Sequence, residues 1–539
     1  MRFLVLLFLC VFPELLTGQN RYWVAFADKA NSSFSVSNPQ AFLSPESIKR
    51  RLKNKADILE EDLPVNPDYI QNVRNAGAKI LYALKWFNGA VVQCEAATAQ
   101  KLKTVSGVKS VELAALGGAG GREGEEGNGR EEGGGNGSDE YFQKNEPQRK
   151  MLDLDTMNRS GFYGEGINVA VFDDGFAKVN SLPAFAPLFS ENRVMLTKNL
   201  ANHSESVYDG GEHGVRVLSV MAAASNEAPG SLSKANYFLF HTEEKKSEYR
   251  IEEYNWARAM EMADSAGVHL VNSSLGYSTF DDISMNYTPS QLDGNTAVIT
   301  KAAAKGVSKG IVVVTSAGNA ESGWRNILFP ADARGVIAVG SVDAGGVRSS
   351  SSTVGPAADG RIKPDVMAPG VASPVINSSG EVTASSGTSF ASPLVACLAG
   401  GILQAYPQLT AAQATESIIS SADRAASPNN KYGYGIPRFL AAKNYIEKKP
   451  LNLKTSAENS WTLFPNPASN IIHIKSVQPP GLSLISLWDS MGREIFQTEA
   501  ELTWANNPLE VDISFLEQGF YYLKIKSPNG NFVKRIMKK

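Results

Sequence analysis

Three short, almost wholly apolar runs constrain this chain most. They are 167–172 (Ile-Asn-Val-Ala-Val-Phe), 270–272 (Leu-Val-Asn) and 311–315 (Ile-Val-Val-Val-Thr). A strand with one wet face alternates apolar and polar residues, and these runs do not. Helical stretches fall between them, notably 250–266 and 293–304. Buried strands alternating with helices predict an α/β unit, a parallel sheet covered on both faces, here extending over 141–448. Such a sheet binds ligands at the carboxyl ends of its strands, so that is where chemistry is expected.

At 539 residues the chain has room for further domains. Met1 and Arg2 precede an apolar run, 3–12, that is too short to cross a membrane comfortably, and polar chain follows at Gln19 and Asn20. This predicts a secretory signal peptide over 1–18. No later stretch reads as a membrane span. Residues 19–116 read as a strand at 22–27, a helix started by Asn66 and Pro67 and ended by Gly77, strands at 80–84 and 90–92, a helix at 98–105 and a strand at 108–113. That order suits a small α+β domain, and it holds no catalytic constellation.

Residues 117–140 are rich in glycine and glutamate without apolar periodicity, which predicts a disordered linker. Arg122 and Arg130 within it are either processing points or plain linker residues. A junction at 449–460 precedes the last unit, 461–539. There, short strands at 471–474, 482–488, 494–497, 509–513, 519–525 and 532–537 alternate with turn signals at 489–492 and at Asn529-Gly530. They predict a small antiparallel β-sandwich.

The net charge of −3 gives no reason to expect a nucleic-acid partner. Of three cysteines, Cys10 lies in the leader, and Cys94 and Cys397 fall in different units without metal-ligand spacing. They read as small core residues rather than a disulfide framework.

Four stretches carry the chemistry. Ser386-Gly387-Thr388-Ser389 turns sharply into an apolar helix, leaving Ser389 at the helix mouth, where free N–H groups favour developing negative charge. A serine there is either a nucleophile or a cap, and as a nucleophile it needs a base. Asp173 and Asp174 stand at the carboxyl end of the first core strand. His213 opens a helical stretch, and of the five histidines it has the best context for a base. Ser316-Ala317-Gly318-Asn319 follows the third apolar run and sets an amide at the sheet's edge, as an oxyanion donor or as a turn.

Together these stretches resemble the subtilisin-like serine proteases. The resemblance covers roughly 141–448. Its motifs are Asp-x-Gly from Asp173, His-Gly-x-x-Val from His213, Ser-Leu-Gly from Ser274, Ala-Gly-Asn ending at Asn319, Lys-Pro-Asp-Val-Met-Ala-Pro-Gly from Lys363 and Gly-Thr-Ser-x-Ala-x-Pro from Gly387. The order Asp, His, Ser is that of the subtilisin fold. The chain departs from the family pattern at Asp174, where many members carry Thr or Ser, and in Glu-His-Gly-Val around His213. Neither change removes a reacting group.

The resemblance implies a three-layer fold and a secreted serine endopeptidase. By it, Asp173 orients His213, His213 serves Ser389 as base and then acid, and Asn319 stabilises the oxyanion. Ser274, Leu275 and Gly276 bind an extended substrate. No cofactor is expected. Family members often bind calcium, but the sequence offers no recognisable ligand set. The N-terminal domain is similar in placement to the family's pro-domains, which assist folding and block the cleft.

The C-terminal unit resembles the type IX secretion sorting domain, through Phe464-Pro465-Asn466-Pro467, Gly519-Phe520-Tyr521 and a basic end. That implies export through the periplasm and across the outer membrane, to the surface or the medium. The partners implied are protein or peptide substrates, the chain's own pro-domain and the type IX machinery. A catalytically inactive protease-like binding or adhesion protein is the alternative. An α/β-hydrolase esterase disagrees in both nucleophile motif and triad order.

Overall fold

The computed structural model describes residues 19–30, 32–117, 144–320, 323–448, 461–476, 481–489, 493–502, 508–527 and 530–539. The expected signal peptide, nearly all of the 117–140 linker, the 449–460 junction, the turn at 490–492 and Asn529 lie outside these residues.

The three apolar runs form adjacent strands at the centre of a seven-stranded parallel sheet, as Asn168–Asp173, Leu270–Ser273 and Val312–Ser316. Ile337–Val342 and Val366–Pro369 extend the sheet beyond the last of these. Asn236–His241 and Val194–Asn199 extend it beyond the first. The central strands are buried on both faces, which is why they lack polar alternation. Within Asn168–Asp173, Val169 and Val171 join one hydrophobic cluster, while Ala170 and Phe172 join the other. Helices His213–Ala222 and Thr388–Ala405 contribute to the first cluster, and Ile251–Ala266 and Val298–Ser308 to the second. This is the expected three-layer arrangement. Thr388–Ala405 is apolar enough to cross a membrane by composition, yet 89% of it is buried inside the protein. Cys94 and Cys397 are both buried and unpaired.

One helix begins later than its sequence predicts. The stretch from Asp293 becomes helical only at Val298. The Asp293 carboxylate instead accepts from the backbone N–H groups of Asn295 and Thr296, both at 2.7 Å. An aspartate that satisfies nearby backbone in this way competes with the helix.

In the N-terminal domain Asn20–Phe26 pairs antiparallel with Gly89–Cys94 and with Val108–Ala115, and Lys79–Leu84 completes four strands. Alternation sends Tyr22, Val24 and Phe26 into a core shared with Val73 and Leu102 of the domain's own helices, Pro67–Asn75 and Ala96–Leu102. Trp23 points the other way, into the large domain, where its ring stacks on Tyr254 at 4.9 Å. The sheet therefore rests its second face on helix Ile251–Ala266.

A further helix, Pro45–Asn54, is capped by Ser44 and seated on the end of Ile251–Ala266. It carries Arg50 and Arg51, both fully buried. Arg50 pairs with Asp264 at 2.5 Å, and Arg51 with Asp264 at 2.7 Å and Asp62 at 2.9 Å. Glu261 accepts the backbone N–H groups of Lys85 and Trp86 at 2.9 and 2.8 Å.

The C-terminal unit is the expected sandwich. A three-stranded antiparallel sheet (Trp461–Phe464, Ile471–Ser476, Leu509–Asp512) faces a four-stranded one (Glu494–Leu502, Gly481–Trp488, Gly519–Ser527, Gly530–Lys538). Ile472, Ile474, Ile485, Leu487, Leu523 and Ile536 fill the space between them.

Candidate active site

Parallel register brings the carboxyl ends of the central strands level. Phe172 lies beside Ser273, and Ser273 beside Thr315. Asp173, Ser274 and Asn319 thereby emerge along one edge, where the helices His213–Ala222 and Thr388–Ala405 begin.

Asp173 is fully buried, and its Oδ1 lies 2.7 Å from His213 Nδ1. An ionised carboxylate only accepts, so Nδ1 carries the proton and Nε2 is left for other work. The His213 side chain is 34% exposed. Burial acts to lower its pKa, but the carboxylates of Asp173 and Asp174 outweigh it and push the imidazole up to about 9.

Asp174 has a different place. Its carboxylate accepts from Gly214 N at 3.1 Å and lies so close to Gly211 that any Cβ there would collide with it. It braces the turn that presents His213. Burial, and then the charge of Asp173, push it up to about 6. The other four histidines sit apart from the serine. His269 Nδ1 accepts from Asn168 N, His241 bonds Asn199, His203 meets Tyr82, and His473 faces Glu510.

Ser389 is the second residue of its helix and 8% exposed. Its hydroxyl donates to the Ser274 carbonyl at 3.2 Å. Among the described residues no hydrogen bond joins Ser389 to His213, although Phe390, the next residue, meets the His213 ring at 5.7 Å. Nucleophile–base contacts in unliganded sites are often loose and tighten with substrate. Ser274 Oγ in turn donates to the Ser389 carbonyl at 2.9 Å and meets Ser392 Oγ at 3.0 Å, fixing the start of the helix against the strand end.

Asn319 is held by its acceptor atom. Its Oδ1 takes the Thr388 N–H at 3.1 Å and the Thr388 hydroxyl at 3.3 Å, so the amide's NH2 points elsewhere. Gly387 shows where. Its φ is +152°, and a Cβ there would stand 3.3 Å from Asn319 Nδ2 and 3.8 Å from Ser389 N. The missing side chain leaves a space that two N–H donors flank. Thr388 and Ser392 position this site, and nothing in local sequence marked them beyond membership of the serine motif.

The one group of three or more metal-ligating side chains among the described residues is Asp173, Asp174 and His213. It does not fit calcium, which takes 6–8 oxygen ligands. Here one ligand is a ring nitrogen, and only two carboxylates stand beside it.

Three family models match the chain. The Subtilase family spans 164–435, the Peptidase S8 propeptide domain of Bacteroidota spans 21–126, and the secretion system C-terminal sorting domain spans 462–539. Subtilisin DY of Bacillus licheniformis is 31% identical over 54% of this chain and 96% of its own length. Subtilisin E of Bacillus subtilis is 29% identical over 56% of this chain and 72% of its own. Among solved structures, MycP1 from Mycobacterium smegmatis aligns at 21% identity and a TM-score of 0.44, over 55% of this chain and 83% of that one. The chain belongs to the subtilase family and is a serine-type endopeptidase, with a sorting domain that directs it through type IX secretion to the cell surface or beyond.

Proposed function

We propose that Asp173, His213 and Ser389 are the catalytic triad, that Asn319 and the Ser389 N–H form the oxyanion hole, and that Ser274, Leu275 and Gly276 pair with the substrate backbone. The observation that carries this reading is the space at Gly387, open between Asn319 Nδ2 and Ser389 N. Two N–H groups flanking such a space are what a tetrahedral oxyanion requires.

In the reaction, Ser389 Oγ attacks the peptide carbonyl and its proton passes to His213 Nε2. The imidazolium so formed is stabilised by Asp173 through Nδ1. The carbonyl oxygen takes the negative charge and moves into the space between the two N–H groups. His213 then gives the proton to the leaving amine as the C–N bond breaks, leaving an ester on Ser389. Water repeats the sequence on the ester and frees the acid. No step requires a cofactor.

Residues 19–116 act as the pro-domain of the peptidase unit at 141–448. The shared core with helix Ile251–Ala266 and the buried pairs at Asp264 support tight docking. Protein and peptide chains are the substrates, and the 461–539 sandwich is the part that the type IX machinery recognises.

The test is Ser389→Ala, assayed on an unstructured protein substrate. Hydrolysis should fall to background with the fold unchanged by circular dichroism. Retention of most activity would remove Ser389 from the mechanism.

A further inference from the structure

A peptide laid along Ser274–Gly276, with its carbonyl at Ser389, directs one side chain into the protein next to the bond that breaks. That side chain belongs to the residue supplying the carbonyl. It enters between two segments, one ending at Gly276 and the other at Gly318. Both flank the nucleophile, since Ser389 donates to the Ser274 carbonyl and Gly318 N donates to Thr388 Oγ1 at 3.2 Å, beside Ser389. Glycine on both walls leaves room for a wide slot.

The slot is already occupied, by Leu328. A Cβ on Gly276 would lie 2.8 Å from Leu328 Cβ and 3.2 Å from its Cδ1. A Cβ on Gly318 would lie 2.4 Å from Leu328 Cγ and 2.7 Å from the same Cδ1. One leucine side chain thus touches the backbone of both walls. It is held from both sides as well. Leu328 N donates to the Ala317 carbonyl at 2.9 Å, and Phe329 exchanges hydrogen bonds of 3.1 and 3.0 Å with Tyr277. Ile327 and Phe329 on either side are fully buried, and Leu328 itself is 7% exposed. These bonds fix the leucine's backbone to both walls, so the residue cannot be displaced from the slot without breaking them.

Close-packed interiors do not accept extra side-chain atoms without strain. We propose that Leu328 is the floor of the pocket for the residue preceding the scissile bond, and that it restricts that residue to a small side chain, of the size of glycine, alanine or serine. This inference rests on the substrate path and nucleophile assigned above.

The experiment uses the secreted enzyme and tetrapeptide p-nitroanilides that differ only in the last residue, Ala, Leu or Phe. The wild type should show kcat/KM for Ala at least about 10-fold above that for Phe, the scale on which a pocket discriminates by size. Leu328→Gly should raise the Phe-to-Ala ratio by at least about 10-fold, with Leu328→Ala between the two. Active sites are counted in each preparation with a fluorophosphonate. Equal or better wild-type turnover of the Phe substrate overturns the inference, whatever becomes of the variants. So does an unchanged ratio in a Leu328→Gly enzyme that still titrates fully. If neither variant folds, the wild-type series decides alone. Failure of the wild type both to cleave any of the three and to label at Ser389 would be a different result. It would overturn the serine site itself, and this pocket with it.

Discussion

In the proposed mechanism, Asn319 touches charge only when the reaction creates it. In the resting enzyme its NH2 faces the space beside Gly387, and its Oδ1 is spent on Thr388. Asn319→Leu should therefore lower kcat by about 10²–10³, the cost of losing one such donor in a subtilisin, with little change in KM. A loss carried mainly by KM would make Asn319 a structural turn residue. The two aspartates should separate by pH. His213 must be neutral to act as a base, and its pKa is pushed up to about 9, so kcat/KM should rise with pH through that region. Asp174→Asn removes one of the carboxylates that raise it, and the rise should move to lower pH with a mild change in plateau kcat. Asp173→Asn loses the imidazole's orientation and should cost about 10⁴ in kcat. The reverse ranking in pH–rate profiles would move the orienting role to Asp174. The same shift bears on stability. The His213–Asp173 pairing contributes fully below the ordinary histidine pKa of about 6.5 and is lost as pH rises through about 9.

The sequence motifs marked the proposed reacting groups, because each stands on a strand end or helix start with a local signature. They did not mark Thr388 as the anchor of Asn319, or Leu328 as the proposed pocket wall. Those roles exist only once segments 69 and 52 residues apart, Asn319 with Thr388 and Gly276 with Leu328, are brought together.

Among the elements, helix Pro45–Asn54 and helix Ile251–Ala266 decide how the N-terminal domain is held. Asp264 is fully buried beneath the first helix and meets Arg50, Arg51 and Lys85. Burial acts to raise the Asp264 carboxyl, but the charges of Lys85, Arg50 and Arg51 outweigh it and hold it below its usual range, so the pairs persist well into acid and fail only as pH falls through that depressed value. Removing one partner of a buried, hydrogen-bonded charge pair costs about 2–5 kcal/mol in a complex. The isolated N-terminal domain, added to mature peptidase, should inhibit it, and Asp264→Ala should weaken that inhibition by at least about 30-fold. Inhibition constants from progress curves check this, and equal constants for the two enzymes would show that the buried pairs contribute nothing to docking.

Most elements were legible in the sequence for simple reasons. The central strands have no polar face, and Asn66 with Pro67 starts a helix as its cap chemistry dictates, the Asn66 side chain accepting from Asp68 N at 2.8 Å. Helix Pro45–Asn54 was not read, because its buried face carries Ser47, Arg50 and Arg51 beside Ile48. A face buried through ion pairs with another domain has no apolar stripe to betray it. Asp293 misled for the opposite reason, a good helix-start residue consumed by its own turn.

Across the whole molecule, three units with their own hydrophobic cores divide the work. The N-terminal sheet shares its outer face with the peptidase, the peptidase holds every proposed catalytic residue, and the sandwich closes its core from its own strands. Deletion of 461–539 should therefore leave peptidase activity intact and abolish export. Fractionation of cells expressing the truncated chain checks this. Truncated protein at the surface or in the medium would make the sandwich an adhesion or stabilising unit, and exported but inactive protein would join it to the catalytic unit.

Ser389, activated by His213, is proposed as the nucleophile of a working peptidase rather than a relic in a binding protein. A fluorophosphonate reacts with such a serine and not with ordinary ones, so the decisive measurement is intact mass and peptide mapping of the secreted protein after treatment. The expected result is one adduct per chain, on Ser389, absent in His213→Ala and accompanied by complete loss of peptide hydrolysis. Hydrolysis that continues without an adduct, or an adduct on any other serine, would contradict it.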